Sequence, residues 1–203
     1  MPPSIAKLPR DERGYPCPWF ISWIDGKPEF RVMDGKKLDR AVKENLCWVC
    51  GEPFTDNILA FISGPMCLVN LNSAEPPSHL DCARFSVKAC PFLTMPKAQR
   101  RDANLPSATE NPAGFYIARN PGCCAIAICN RYRTHQPPGG GMLFRMPTPQ
   151  AVEWYAEGRP ATREEVLASI DSGLPSLAKV AQQHGEMGAL NEAIAVAQKW
   201  LPA

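Results

Sequence analysis

The amino-acid sequence predicts an α+β fold: an N-terminal β-hairpin and helix, a compact finger, a small antiparallel sheet and C-terminal helices. Three observations lead there. Short runs of aromatic and β-branched residues are punctuated by turn signals such as Asp25-Gly26 and Asn120-Pro121-Gly122, as in strands joined by tight turns. The last third carries apolar residues at helical spacing behind capping residues. Between these regions Cys47/Cys50 and His79/Cys82 each enclose two residues, which lets the chain turn back so that both donors approach one ion.

Taken in order, residues 1–14 contain Pro, Lys and Arg without periodicity and read as an irregular arm. Residues 19–24 and 29–33 flank Asp25-Gly26-Lys27 and form a hairpin. Asp34 caps a helix over 36–45, whose stripe is Leu38, Ala41, Val42 and Leu46. In the finger, residues 58–62 are a strand, Ser63-Gly64-Pro65 a turn and 66–69 the return strand. Pro76 and Pro77 stop the preceding segment, Ser78 caps a helix over 79–90 with Asp81 completing the capping box, and Pro91 ends it. Strands follow over 115–119, 123–132 and 142–146, the second so continuously apolar that both its faces are expected to be buried. Cys123, Cys124 and Cys129 there read as small core residues. Thr148-Pro149 opens a helix that Gly158 stops, and Thr162 with Glu165 caps the next, closed by Gly173. Helices over 175–184 and 187–200 complete the chain. The expected organisation is a hairpin-plus-finger unit over 1–93, a basic linker over 94–113 and a sheet with helices over 114–203, packed as one globule.

The two pairs predict one zinc ion held by Cys47, Cys50, His79 and Cys82, with Cys67 as the alternative ligand. Cys90 lies eight residues beyond Cys82 on the same helix, roughly 12 Å along its axis, too far to share the ion. Four protein ligands leave no open position for water, the mark of a structural site. A thioredoxin-like redox pair is disfavoured, since no βαβ pattern surrounds Cys47 and Cys50. Knuckle, an extended or hairpin segment over 54–70 and a ligand-bearing helix together resemble the treble-clef class of zinc fingers over residues 46–92, with the ligand order also seen in LIM-like modules. The resemblance implies a local fold and a metal, not an activity.

Charge is distributed unevenly along the chain. Residues 1–83 carry 9 Lys/Arg against 11 Asp/Glu, residues 84–145 carry 9 against 2, and residues 146–203 carry 4 against 7. The basic middle predicts nucleic-acid phosphate contacts from Arg119, Arg131, Arg133 and Arg145, helped by Lys97, Arg100 and Arg101. The competing expectation is a protein-interaction or regulatory module acting on a host protein, and a metal-dependent nuclease or hydrolase is a weaker third reading. Stacking of bases on the hairpin aromatics is a weaker reading than their burial. No stretch is long and apolar enough to span a membrane. The opening residues lack a signal-peptide pattern, and an odd number of cysteines, 9, fits a reducing cytoplasm with metal-bound thiolates.

Little in the sequence points to catalysis. Treble-clef folds include enzymes resembling the His-Asn-His endonucleases, which need a histidine on the finger's hairpin, and residues 54–70 contain none. The zinc-deaminase pattern is absent because Leu80 and Asp81 follow His79. A Cys17–His135 pair is the remaining nucleophilic candidate. The glycine run 139–141 lacks the following Lys-Ser/Thr of a phosphate loop. The combination of 15–19 (Tyr-Pro-Cys-Pro-Trp), Cys47–Gly51, 64–70 and 76–82 is similar to uncharacterised bacteriophage-encoded proteins, which implies a prokaryotic setting and no particular activity.

Overall fold

Strand β5, Cys124–Cys129, is the element against which much of the chain is laid. The computed structural model describes residues 1–96, 98–99, 103, 105, 113–114, 119–137 and 139–203. The order of elements is α1 (Pro3–Ala6), β1 (Ile21–Ile24), β2 (Lys27–Met33), α2 (Gly35–Lys43), β3 (Leu59–Ser63), α3 (Pro65–Asn70), β4 (Asn72–Ser73), α4 (Leu80–Ala89) and α5 (Pro91–Thr94). Then come β5, β6 (Arg133–His135), β7 (Leu143–Arg145), β8 (Ala151–Ala156), β9 (Arg159–Pro160), α6 (Arg163–Gln183), α7 (Met187–Ala197) and a final 3-10 turn, Gln198–Trp200. The α+β class is therefore as expected.

The strands form three antiparallel groups: the β1-β2 hairpin, a four-stranded sheet β3-β5-β8-β9 and a three-stranded sheet β4-β7-β6. β5 is buried on both faces because its side chains alternate between two cores. Cys124 and Ile126 meet Ala83 and Val87 of α4, while Ala125, Ala127 and Cys129 join Phe61, Leu68, Phe144, Trp154 and Val166. That alternation explains an unbroken apolar run in a central strand. The buried cysteines of β5 are small core residues, and burial pushes the Cys123 and Cys124 thiols up to about 11 and about 12, which keeps them protonated and inert.

Local signals were obeyed where they were complete. The expected hairpin forms with a two-residue turn, since Lys27 already pairs with Ile24, and Asp25 and Gly26 both take positive φ, 50° and 76°, as such a turn requires. Asp34 accepts from Lys36 N and Lys37 N at the start of α2, and Thr162 with Glu165 forms the capping box of α6.

Several elements differ from expectation. Residues 1–14 are not wholly irregular: Pro3 begins a one-turn helix whose Ile5 is buried. The return strand over 66–69 is helix α3 instead. Pro65 sits in its first turn, where a missing N–H costs nothing, and β3 pairs with β5 rather than with the next segment. The segment over 54–70 is thus strand β3 followed by helix α3 rather than a hairpin. Ser78 does not cap α4; its backbone bridges to Ala60 and His79 takes the cap position. Pro91 ends α4 but starts the short α5.

The expected helix over 149–157 is the strand β8, turned back to β9 at Glu157 and Gly158, both at positive φ. Trp154, Tyr155 and Val152 fit a pleated surface better than a helix. Strand 142–146 is β7, but its partner β6 begins at Arg133, inside what reads as loop. Gly173 does not close a helix: α6 runs through it and through Pro175 for 21 residues. Met66 of α3 packs so closely on Gly173 that a Cβ there would stand 2.8 Å from Met66 Cγ. Packing of α3 on α6 and α7 outweighs the two helix breakers. The strand expected over 115–119 lies outside the described residues except for Arg119.

Candidate metal centre and basic face

Cys47, Val49 and Cys50 form a knuckle whose backbone closes on itself. Gly51 N donates to Cys47 O at 2.8 Å and Cys47 N to Glu52 O at 2.9 Å. Gly51 adopts φ +74°, a left-handed conformation that favours glycine. The second pair arrives with α4: His79 is its N-cap and Cys82 lies in its first turn. The antiparallel bridge between Ala60 and Ser78 fixes where that turn starts.

The donor atoms of Cys47, Cys50, His79 and Cys82 all lie within 4.8 Å of one another. Ligands held tetrahedrally at about 2.3 Å stand about 3.8 Å apart, so the four are placed to hold one metal ion. His79 offers Nδ1, which is 3.4 Å from Cys50 Sγ. Its Nε2 is 3.2 Å from Pro53 O, and an Nε2–H donating there leaves Nδ1 bare for a metal, an outer contact that sets tautomer and ring orientation. The Phe54 ring, 4.8 Å from the imidazole, restricts it further. His79 N donates to Cys47 Sγ at 3.2 Å, so a helix N-terminus that lacks a side-chain cap is served by a ligand sulfur instead.

The electrostatics ask for a cation. Hydrogen bonds from Cys50 and Cys82 hold the Cys47 thiol far below its usual range, and hydrogen bonding to the Cys47 and Cys50 side chains raises His79 to about 10. The Cys82 thiol is displaced strongly upward by Cys47 and Cys50. Three thiols and an imidazole in one small volume cannot all take the ligating state unless a positive ion compensates the charge. Three thiolates and an imidazole in tetrahedral reach suit zinc among the common divalent ions. Cys67, the alternative ligand, lies on α3 outside this cluster.

The site is closed. Ile5, Leu8, Val49, Phe54 and Phe85 pack round the ligand cysteines, and Cys47, Cys50 and Cys82 are all buried. Trp48, between the first two ligands, stacks on Phe20 at 5.0 Å and meets Trp19 edge-on at 6.3 Å. Trp19 and Phe20 are therefore packing residues, while Trp23 and Phe30 are 45% and 38% exposed.

The basic residues separate into groups. Arg133 on β6 and Arg145 on β7 are directly opposite partners, and Asn72 on β4 continues the same row. His135, two residues on from Arg133, shares this face. The other face turns inward through Phe144, which packs on Tyr132. Arg131 and Arg133 flank Tyr132, and both are exposed. Arg145 donates to Asn70 O at 2.8 Å. No acidic side chain among the described residues pairs with these three arginines. Of the C-terminal acids, Glu153 is engaged with Arg84 and Glu165 with Arg159. Arg119 does not join them: its guanidinium donates to Ser172 O and Ser172 Oγ on α6. Lys97, Arg100 and Arg101 lie outside the described residues.

Cys17 is buried with Sγ 3.9 Å from Tyr15 O, and His135 is exposed on β6, with no contact between them. No helix among the described residues is long and apolar enough to cross a membrane. His135, absent from the expected contact residues, was findable from the alternation of Arg133 and His135 once β6 was recognised. No protein-family model, curated protein or solved structure matches the chain.

Proposed function

We propose that this is a structural-zinc protein that binds nucleic acid through the exposed face of the β4-β7-β6 sheet, with Arg131, Arg133 and Arg145 on backbone phosphates. The observation that carries the reading is the Arg133–Arg145 pair. Like charges directly opposite on one sheet face destabilise it, and no acidic side chain among the described residues relieves this pair. A polyanion would turn that cost into binding energy. Among the described residues the face offers Asn72, His135 and Leu143 beside the arginines and no aromatic ring, since Tyr132 and Phe144 face the core. Single-strand binders rely on stacking platforms, so the chemistry favours duplex backbone. The zinc would act as a folding element: with four protein ligands it has no open position for chemistry.

The test is the salt dependence of binding to a short DNA duplex, followed by fluorescence anisotropy. Three phosphate contacts correspond to a log–log slope of about −2.7 and a loss of roughly fortyfold between 50 and 200 mM salt. A flat salt response, or equal binding by an Arg131→Ala/Arg133→Ala/Arg145→Ala variant, would reject the reading.

A protein-interaction module is the second reading, favoured by the exposed Trp23 and Phe30 of the N-terminal hairpin. Aromatics left open on a surface are enriched where proteins meet. On this reading Trp23→Ala with Phe30→Ala would abolish the interaction while leaving fold, metal content and any duplex binding unchanged.

A further inference from the structure

The residues around the metal ligands include a segment from outside the finger. Ile5, at the centre of α1, is 1% exposed. The apolar cluster that buries it consists of Cys47, Val49, Cys50 and Cys82, with Leu8, Phe54 and Phe85 alongside. Ser4 Oγ lies 3.4 Å from Cys82 Sγ. Lys7 Nζ reaches Glu52 at 2.7 Å, and Glu52 O accepts from Cys47 N. Further along, Cys17 N donates to Pro9 O and Arg10 bridges to Pro16, so the segment folds back on itself after crossing the site.

We infer that residues 1–17 are a lid seated on the metal centre, docked while the ion is held and released when it is lost, with Ser4 as a positioning residue for the Cys82 sulfur. The inference rests on the zinc reading above. A one-turn helix is too short to persist alone, so α1 owes its order to its seat. Half of that seat is metal-ligand side chains, Cys47, Cys50 and Cys82, beside Val49, Phe54 and Phe85. Bound to an ion, the cysteines form one fixed apolar floor; without it, the thiols and imidazole regain independent rotamers and the floor under Ile5 is lost. The Ser4 hydroxyl can donate to a Cys82 thiolate, drawing charge from the sulfur and holding its orientation. Outer hydrogen bonds of this kind govern metal affinity by about 10–100-fold. Metal occupancy thus becomes visible at the surface as the order or disorder of residues 1–17.

Hydrogen exchange read by mass spectrometry on the full chain, zinc-loaded and chelator-stripped, tests the lid. The amides of Ile5, Ala6 and Leu8, which donate to Pro2 O and Ile5 O, should be protected in the loaded protein and exchange freely after stripping, while β3 and β5 stay protected. In parallel, Ser4→Ala should retain one zinc at saturation yet lose it to a competing chelator on the order of tenfold more readily; Ser4→Thr should restore retention. Ile5→Ser, with zinc bound, should show the stripped exchange pattern in residues 5–8. Protection of residues 5–8 that survives stripping, or unchanged zinc affinity in Ser4→Ala, would overturn the lid alone. A purified chain that takes up no zinc would overturn the lid and the zinc reading together.

Discussion

The indole of Trp19 lies against Gly51 so closely that a Cβ on residue 51 would stand 2.5 Å from Trp19 Cγ. The knuckle glycine thus serves two needs at once, its φ of +74° and the seating of the hairpin's first aromatic. Trp19 N also donates to Val49 O at 2.7 Å, so hairpin and knuckle are joined by backbone as well as ring. Gly51→Ala should therefore cost about 2–4 kcal/mol, combining left-handed backbone strain with overpacking. Gly26→Ala, at φ +76° with nothing near the added carbon, should cost only about 1–2 kcal/mol. Urea unfolding of the two variants checks the difference; equal losses would mean that the Trp19 contact contributes nothing.

Metal content should follow the four-residue cluster. Cys50→Ser and His79→Ala should each lose stoichiometric zinc, while Cys67→Ser and Cys90→Ser keep it, as read by elemental analysis of purified protein. Because binding energy of a structural zinc is also folding energy, chelation should lower the thermal midpoint. The Trp48 environment should change with it, since Trp48 sits between two ligands. Full zinc in Cys50→Ser would show that the ligand set is wrong.

What could be read from the chain was what it encodes locally. The paired ligands, the Asp34 cap, the Thr162–Glu165 box and the Asp25-Gly26 turn each need only a few neighbouring residues, and each is realised. What escaped was decided by distant partners. Residues 66–69 carry an apolar run that suits strand or helix, and Pro65 together with the docking surface of α6 selects helix. Residues 151–156 alternate too weakly to reveal a strand, and Gly158 reads equally as a helix stop and as a turn residue. Gly173 and Pro175 are breakers in isolation, yet Gly173 is where Met66 needs room. The metal donors were legible; the face formed by Arg133 and Arg145 was not, because its register depends on a strand that reads as loop.

Acid should weaken the start of α6 in a defined window. Glu165 binds Arg159 through both carboxylate oxygens and accepts from Thr162 N at 2.8 Å, which holds its carboxyl at about 2 against an ordinary 4.5. A folded-state value below the unfolded one means that the stabilisation is complete above about pH 4.5 and fades as pH falls toward 2. Glu165→Gln should flatten that part of the stability–pH curve and leave the region above pH 5 parallel to wild type. Carbon-detected titration of the side chain gives the value directly, and a midpoint near 4.5 would remove the basis for the effect.

Arg133 and Arg119 should behave in opposite ways. Arg133 faces Arg145 across β6 and β7 with no acid among the described residues to relieve it, so Arg133→Ala removes a repulsion and should leave stability unchanged or raised by about 0.2–1 kcal/mol. The same change should reduce the salt slope of duplex binding by about one contact, near 0.9, without regard to base sequence. Arg119 is tied to α6 through Ser172. Arg119→Ala should cost about 1 kcal/mol of stability through two lost hydrogen bonds and leave the salt slope intact. Thermal unfolding and anisotropy on the same two preparations separate the roles. If Arg133→Ala instead destabilises the fold and leaves the slope unchanged, the arginine pair is part of the sheet's structure, and the polyanion reading loses the feature that supports it.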